Sequence, residues 1–248
     1  MLDPALLIFV ASVVLFAGFV KGTVGLGFPT TFLGLATTVL APRLAISLIL
    51  LPMLVVNLWQ LYRSGEVWQA VKRYRWFLIC MVVLGWVTVQ SAVLANDRVL
   101  FGVLGAAIIG FVLLSWTIWR PKISEAQATG AQVGFGALSG IMGGLVAVWA
   151  PPVILYLSGR QVPKDEFVRA SGLILFVGTI PLVIGYLRQG LLTPNITITS
   201  LLLCIPVVAG FAVGEALRHR LSEDGFRRFM LMVFFLMGLN LLRRAFLG

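Results

Sequence analysis

The sequence predicts an all-α integral membrane protein with two inverted repeats, each a Gly/Pro-broken helical hairpin followed by three transmembrane helices. Three observations support this fold class. The chain has 248 residues, of which 60% are hydrophobic and only 11% charged, with a mean hydropathy of +1.02; soluble domains usually carry about 25% charged residues. Apolar runs of roughly 17 residues or more, long enough to cross a bilayer, recur along the chain. Breaks rich in glycine and proline occur at corresponding places in the two halves.

Apolar segments separated by polar turns divide the chain into two repeats of similar layout. The first repeat covers 1–120, a cytoplasmic linker covers 121–130, and the second repeat covers 131–248. The predicted membrane segments are 4–20, 24–40, 44–62, 76–95 and 99–119 in the first repeat, and 131–157, 167–187, 197–217 and 225–242 in the second.

Matching motifs relate the two repeats. Each has a glycine-rich break, then a proline turn, then a span that ends in an Arg-x-Gly turn, then two more spans. Single identities are common by chance in apolar sequence, so the shared order of these motifs carries most of the weight. The matching residues are Gly18, Gly22 and Gly25 with Gly136, Gly140 and Gly143, Pro42 with Pro163, and Arg63 with Arg188.

Loop charges predict the orientation in the membrane. Most of the 19 Lys and Arg residues fall in the loops 63–75, 120–130, 158–169 and 218–228, which the positive-inside rule assigns to the cytoplasm. The net charge of +10 is thereby explained by topology and lipid contacts, and nucleic acid is not expected as a partner. The segment between 120–130 and 158–169 must enter the membrane and return, as a re-entrant hairpin or as two short spans. The same shape is expected for 4–40, and the two halves are then inverted.

The two breaks are the predicted binding site. The first is the stretch from Lys21 to Pro29, and the second runs from Ser139 to Gly144 and ends at Pro151. Broken backbone is tolerated at membrane depth where it lines a cavity. Half-helices that begin near Pro29 and Pro151 would direct N–H groups and positive dipole ends at an anion between the breaks. The alternative is that the glycines only let helices pack closely.

Several polar residues near the breaks are candidates, each with a plainer alternative. Lys21 lies in the first break and not in a loop on either side of the membrane. A charge at such a position is costly and functional by default; the alternatives are that it snorkels to the interface or neutralises a carboxylate. Hydroxyls, including that of Thr31, often bond back to the preceding helical turn, and an intramembrane Asn often makes an interhelical hydrogen bond. The predicted substrate-binding residues are Lys21, Gly22, Thr23, Gly25, Gly27, Pro29, Thr30, Asn57, Ser139, Gly140, Gly143, Gly144, Trp149, Pro151 and Ser171.

Two further residues carry open alternatives. Trp149, beside the second break, would either gate the site or simply fill space. Glu215, near the end of its span and beside Arg218, would either carry a coupling proton or form an ordinary ion pair.

The repeated pattern resembles the TauE/SafE family of sulfite exporters over nearly the whole chain. This resemblance implies a permease for small sulfur-containing or organic anions, such as sulfite or an organosulfonate. The sequence departs from the family pattern at Lys21 and at Val146–Trp149, so the family does not settle which anion is moved. The residues that carry the resemblance are Gly22, Gly25, Gly27, Pro29, Asn57, Arg63 and Gly65, then Gly136, Gly140, Gly143, Gly144, Pro151, Ala170 and Ser171.

The leading prediction is a secondary transporter, an exporter of a small anion, that works by alternating access in the bacterial inner membrane. The alternatives are a non-transporting scaffold or subunit and a passive anion channel. No catalytic, cofactor or metal motif is found, so an enzyme is not expected. The predicted partners are the anion and the lipid bilayer, whereas a homo-oligomer, the direction of transport and the coupling ion stay open.

Overall fold

The computed structural model describes residues 3–116, 122–217 and 223–247, which form helices and turns without a strand. Parts of three predicted features lie outside the described residues: 117–119 of the predicted segment 99–119, residues 120 and 121 at the start of the loop 120–130, and 218–222 of the loop 218–228. The helices are α1 (Pro4–Val24), α2 (Phe28–Ala36), α3 (Pro42–Ser64), α4 (Val67–Arg73), α5 (Arg75–Leu94), α6 (Asp97–Trp116), α7 (Ala128–Val146), α8 (Ala150–Gly159), α9 (Lys164–Arg188), α10 (Pro194–Leu202), α11 (Cys204–Leu217) and α12 (Glu223–Leu247).

Length and apolar composition make this a multi-pass helical membrane protein. Among the described residues, five stretches are long and apolar enough to cross a membrane: Pro4–Val24, Pro42–Arg63, Arg75–Ala92, Asp165–Arg188 and Pro194–Leu217. The all-α prediction is therefore confirmed.

The helices pack in pairs that correspond between the two halves. α1 packs along α11, and α7 packs along α5. α2 contacts α12, and α8 contacts α6, while α3 packs against α9 and α6 against α12. Each hairpin therefore lies mainly against a helix of the other half.

Glycines form the surfaces along which the hairpins pack. We call Gly18 and Gly22 on α1, with their neighbours on α11, the first seam. A β-carbon on Gly18 would lie 2.6 Å from the Val207 carbonyl oxygen. The equivalent contact between α7 and α5 is the second seam, where a β-carbon on Gly140 would lie 2.5 Å from the Met81 carbonyl oxygen. Close backbone approach replaces the hydrophobic driving force that lipid does not supply between helices.

Ion pairs gather the predicted cytoplasmic loops at one end of the molecule, called here the basic end. Arg63 pairs with Glu215 and Arg73 with Glu166, each at 2.7 Å. Glu66 pairs with Arg169, and Glu125 with Arg160. These pairs connect the turn after α3, the residues before α7 and the turn between α8 and α9.

The second hairpin leaves the basic end and returns to it. The Ile123 N–H donates to the Gly159 carbonyl at 3.0 Å, and the Arg160 guanidinium donates to the Ile123 carbonyl at 2.8 Å. The residues before α7 and the end of α8 are thereby joined. With ten residues, α8 is about 15 Å long, half of what a bilayer crossing needs.

Both breaks lie within the predicted stretches but are shorter and begin several residues later than predicted. α1 continues through Lys21 to Val24, so the first break is only Gly25–Gly27. α7 continues through the glycines to Val146, so the second break is Ala147–Trp149. Glycine is tolerated within these helices because the seams require residues without a β-carbon. The predicted starts of the half-helices were correct, since α2 begins at Phe28 and α8 at Ala150.

A short helix, α4, was also missed by the sequence analysis, which treated 63–75 as a loop. Its last residues lead directly into α5 at Tyr74, whose buried hydroxyl donates to Glu166. Burial and the neighbouring Glu166 carboxylate raise the pKa of the Tyr74 hydroxyl above its usual range. The phenol therefore remains a neutral donor that fixes this junction to α9.

Candidate functional site

The first break is a three-residue turn with two left-handed glycines. Gly25, at φ 85°, caps α1, and its N–H donates to the Lys21 carbonyl at 2.7 Å. Gly27, at φ 93°, precedes α2, and Pro29 occupies the first turn of that helix. Residues with a β-carbon rarely adopt these angles, so the two glycines are required by the backbone itself.

Two buried hydroxyls lie in the first turn of α2. Thr30 is 1% exposed and Thr31 is fully buried, and neither Oγ1 has a hydrogen-bond partner among the described residues. Burying a hydroxyl without a partner costs roughly 1–3 kcal/mol. The same turn carries backbone N–H groups that lack intrahelical acceptors, and the positive end of the helix dipole. A small anion has the chemistry that would satisfy all of these groups.

Lys21 is buried one turn before the first break. Its side chain is 1% exposed, although it lies in the last turn of α1. This burial argues against the alternative in which the ammonium group snorkels to water. Thr23 differs, because its hydroxyl donates to the Val20 carbonyl at 2.8 Å within the same helix, as hydroxyls in membrane helices often do.

The second break is filled by an aromatic ring. Trp149 is 1% exposed, and its indole lies against Gly143 on α7 and Gly178 on α9. The Ser139 hydroxyl donates to the Trp149 carbonyl at 3.3 Å. Two prolines, Pro151 and Pro152, remove two N–H donors from the first turn of α8. Trp149 was expected either to gate the site or to fill space, and this close packing favours the second alternative.

Three of the predicted glycines belong to the seams. A β-carbon on Gly22 would overlap the Phe211 carbonyl of α11, and one on Gly140 would overlap the Met81 carbonyl of α5. A β-carbon on Gly144 would lie 2.7 Å from the Gly85 carbonyl oxygen. Helix packing accounts for these glycines, and a contact with substrate stays a prediction for them.

Polar side chains also join α3 and α9. Asn57 is 4% exposed. One turn later, the Gln60 amide donates to the Val168 carbonyl at 2.9 Å and to the Ser171 hydroxyl at 3.3 Å, and Ser171 donates to the same carbonyl at 3.0 Å. The interhelical hydrogen bond considered for Asn57 is therefore seen at Gln60. Gln60 was visible in the sequence as a polar residue on the same helical face as Asn57, but it was not included in the predicted set.

The acidic candidate, Glu215, is engaged in an ion pair near the end of α11. Glu215 pairs with Arg63 at 2.7 Å, with the two side chains 32% and 56% exposed. This is the ordinary ion pair that was the alternative to a proton carrier, made with Arg63; Arg218 lies outside the described residues. No group of three His, Cys, Asp or Glu side chains suitable for a metal occurs among the residues that the structure describes.

These features define a class: a multi-pass helical membrane protein in which two helical hairpins end at buried breaks. The family Sulfite exporter TauE/SafE matches residues 10–241, and the chain belongs to that family. The resemblance drawn from the motifs is thus confirmed. This membership implies a membrane transporter of sulfite-type anions, since members of the family are transporters rather than enzymes. No curated protein and no solved structure matches the chain.

Proposed function

We propose that the protein is a secondary transporter that exports a small anion, sulfite or an organosulfonate, by alternating access. The anion binds at the first break, at the N-terminus of α2. Thr30 and Thr31 donate hydroxyl hydrogen bonds to it, and Lys21 supplies positive charge. Gly25 and Gly27 keep the backbone free of side chains where the anion approaches.

The observation that carries this proposal is the pair of buried hydroxyls without partners at Thr30 and Thr31. Two such groups in one helical turn are costly unless a ligand completes them. The second break offers less to an anion, since Trp149 fills it and two prolines lack N–H donors. We therefore assign the anion-binding site to the first break alone, and not to a site to which the two breaks contribute equally.

The inverted-repeat architecture belongs to the same proposal. The exchange of partners, with α1 on α11 and α7 on α5, is what two related units of opposite orientation would produce. α3 and α9 pack together between these units. Rocking of one hairpin and its partner helix relative to the other would open the site to each side in turn.

The membrane potential favours export. An inside-negative potential contributes about 2.3 kcal/mol per charge per 100 mV to outward movement of an anion. The basic end, which the loop charges assign to the cytoplasm, would also raise the local concentration of anions at the entry side.

Sulfite flux in proteoliposomes tests the proposal. The double variant Thr30→Val/Thr31→Val preserves side-chain shape and removes both hydroxyls, and we expect it to lose most saturable flux. Thr38→Val is the matched control, because the Thr38 hydroxyl is exposed and bonds back to the Leu35 carbonyl at 2.6 Å; its flux should equal that of the wild type.

The alternative functions give different results in this experiment. A passive channel would show flux that neither saturates nor is stimulated by anion on the opposite side. A scaffold would show no flux of sulfite, taurine or sulfoacetate from well-folded protein. Unchanged saturable flux in the double variant would support the transporter function but reject the anion site at α2.

A further inference from the structure

Exposed aromatic and cationic side chains lie along α4 and the start of α5, and we call them the stripe. Tyr74 connects the two helices: its N–H donates to the Ala70 carbonyl at 2.9 Å, and the Leu78 N–H donates to its carbonyl at 3.0 Å. The helical pattern is interrupted at this junction, because the Gln132 side chain accepts from the Phe77 N–H at 3.3 Å and donates to the Arg73 carbonyl at 3.0 Å. Trp68 and Lys72 lie one turn apart on α4, Trp76 lies in the first turn of α5, and all three are exposed.

Two cations on this stripe rest on tryptophan rings. The Lys72 Nζ lies 5.4 Å from the centre of the Trp68 ring, and the Arg75 Cζ lies 5.5 Å from the centre of the Trp76 ring. Such contacts orient a cation without neutralising it. Trp68 is 68% exposed and Trp76 is 41% exposed, so each ring presents its cation at the surface.

The neighbouring carboxylates are already occupied by other cations. Glu66, before α4, pairs with Arg169, and Glu166 pairs with Arg73 at 2.7 Å. Within the described ranges, no carboxylate forms an ion pair with Lys72 or Arg75. The ion pairs of Glu66 and Glu166 also hold both ends of α4 against α9. Lys72 and Arg75 therefore lie on, and directly after, a helix whose position is fixed.

Beyond the cations, the exposed face of α5 that begins at Arg75 is apolar. Ile79, Val83 and Val87 are each about half exposed, at 50%, 53% and 56%. They follow Arg75 at four-residue spacing within a helix that is long and apolar enough to span the membrane. A cationic, aromatic end followed by an apolar strip matches a lipid molecule, with its headgroup at the basic end and its chain along α5.

We propose that α4 and the part of α5 from Arg75 to Val87 form a binding site for one anionic phospholipid. Lys72 and Arg75 hold the headgroup phosphate, Trp68 and Trp76 lie at the level of the headgroup, and an acyl chain lies along Ile79, Val83 and Val87. The apolar strip selects a lipid over free phosphate, because phosphate alone would leave the strip unused.

Native mass spectrometry of the detergent-purified protein tests this site, with phosphatidylglycerol and phosphatidylcholine of matched chains as probes. The wild type should retain phosphatidylglycerol preferentially. Each cation near a lipid surface contributes about fivefold in binding, so Lys72→Gln/Arg75→Gln should weaken retention by about 30-fold. Arg188→Gln is the matched control, since Arg188 stacks on Trp86 at 5.1 Å, about three helical turns beyond Arg75 along α5, and it should retain the lipid like the wild type.

Three results would overturn the proposal. The wild type could hold both lipids equally, the double variant could hold phosphatidylglycerol as tightly as the wild type, or glycerol phosphate without acyl chains could displace the lipid completely. A second variant, Val83→Asn, addresses the chain: it keeps both cations, and unchanged retention would reject the assigned acyl contact. Elution of each variant as a single peak on size exclusion separates lost binding from lost folding. None of these measurements depends on transport.

Discussion

The indole nitrogen of Trp149 lies so close to Gly178 that a β-carbon at position 178 would come within 2.8 Å of it. This contact joins the tip of the second hairpin to α9. Together with Gly143 on the other side of the ring, it explains how a large residue occupies a break that would otherwise be open. The two hairpins thus differ at their tips, although the helices around them pack in the same way.

Gly178→Ala should destabilise the protein through this contact. The added methyl group forces the indole to shift, at a cost of about 1–3 kcal/mol, and the melting temperature in detergent should fall by several degrees. In a Trp149→Leu background the same substitution should cost much less, because the smaller side chain leaves room. Equal losses in both backgrounds would show that the ring and Gly178 do not interact.

The glycines of α7 should separate into two groups. Gly140→Ala places a methyl group against the Met81 carbonyl and should lower the melting temperature strongly. Gly134→Ala, in the same helix, meets nothing within 4 Å, and alanine is the better helix former by up to about 1 kcal/mol, so this control should be neutral or stabilising. Thermal unfolding of the two variants side by side measures the difference, and equal melting temperatures would contradict the second seam.

Lys21→Met should weaken the binding of the transported anion. Lys21 is buried in the last turn of α1, next to the first break, and a charged group that binds an anion contributes about 1.5–3 kcal/mol. If Lys21 holds the anion, the sulfite concentration at half-maximal flux should rise about tenfold or more. The melting temperature of the variant in detergent is measured alongside to count only folded protein, and an unchanged sulfite concentration at half-maximal flux would reject the contact between Lys21 and the anion.

Glu215→Gln should leave the pH dependence of flux unchanged. Glu215 is partly exposed and paired with Arg63, and such a pair contributes only about 0–1 kcal/mol to stability. If this ion pair is the whole role of Glu215, the variant removes a partly exposed ion pair and leaves proton movement unaffected. Flux measured from pH 5.5 to 8.5 tests this, and a loss of pH dependence in the variant alone would restore the coupling role.

The sequence supported the layout of the hairpins better than the exact positions of their breaks. Pro29 and Pro151 mark the starts of α2 and α8 because proline suits the first helical turn. A glycine that lines a seam and a glycine that ends a helix look alike in sequence, so Gly140 was assigned to the second break although it lies within α7. Ala147 adopts a left-handed conformation, at φ 58°, which an alanine in the sequence does not indicate.

The other differences between the sequence-based predictions and the structure arise from tertiary contacts. A threonine in a membrane helix usually bonds back to the preceding turn, and Thr23 does so, but nothing in the sequence distinguishes it from Thr30 or Thr31. Trp149 is adjacent to the break in sequence, whereas its packing against Gly178 depends on a helix that begins after the hairpin. The ion pairs of α4 likewise join residues far apart in the chain, so the loop prediction for 63–75 missed that helix.

The most direct test of the anion site at α2 is equilibrium binding of radiolabelled sulfite to the purified protein. The wild type and Thr38→Val should bind sulfite saturably, and Thr30→Val/Thr31→Val should bind it at least about tenfold more weakly, because each lost hydrogen bond to a charged group costs about 1.5–3 kcal/mol. If the double variant binds sulfite as tightly as the wild type, in protein with an unchanged melting temperature, the anion does not bind at Thr30 and Thr31.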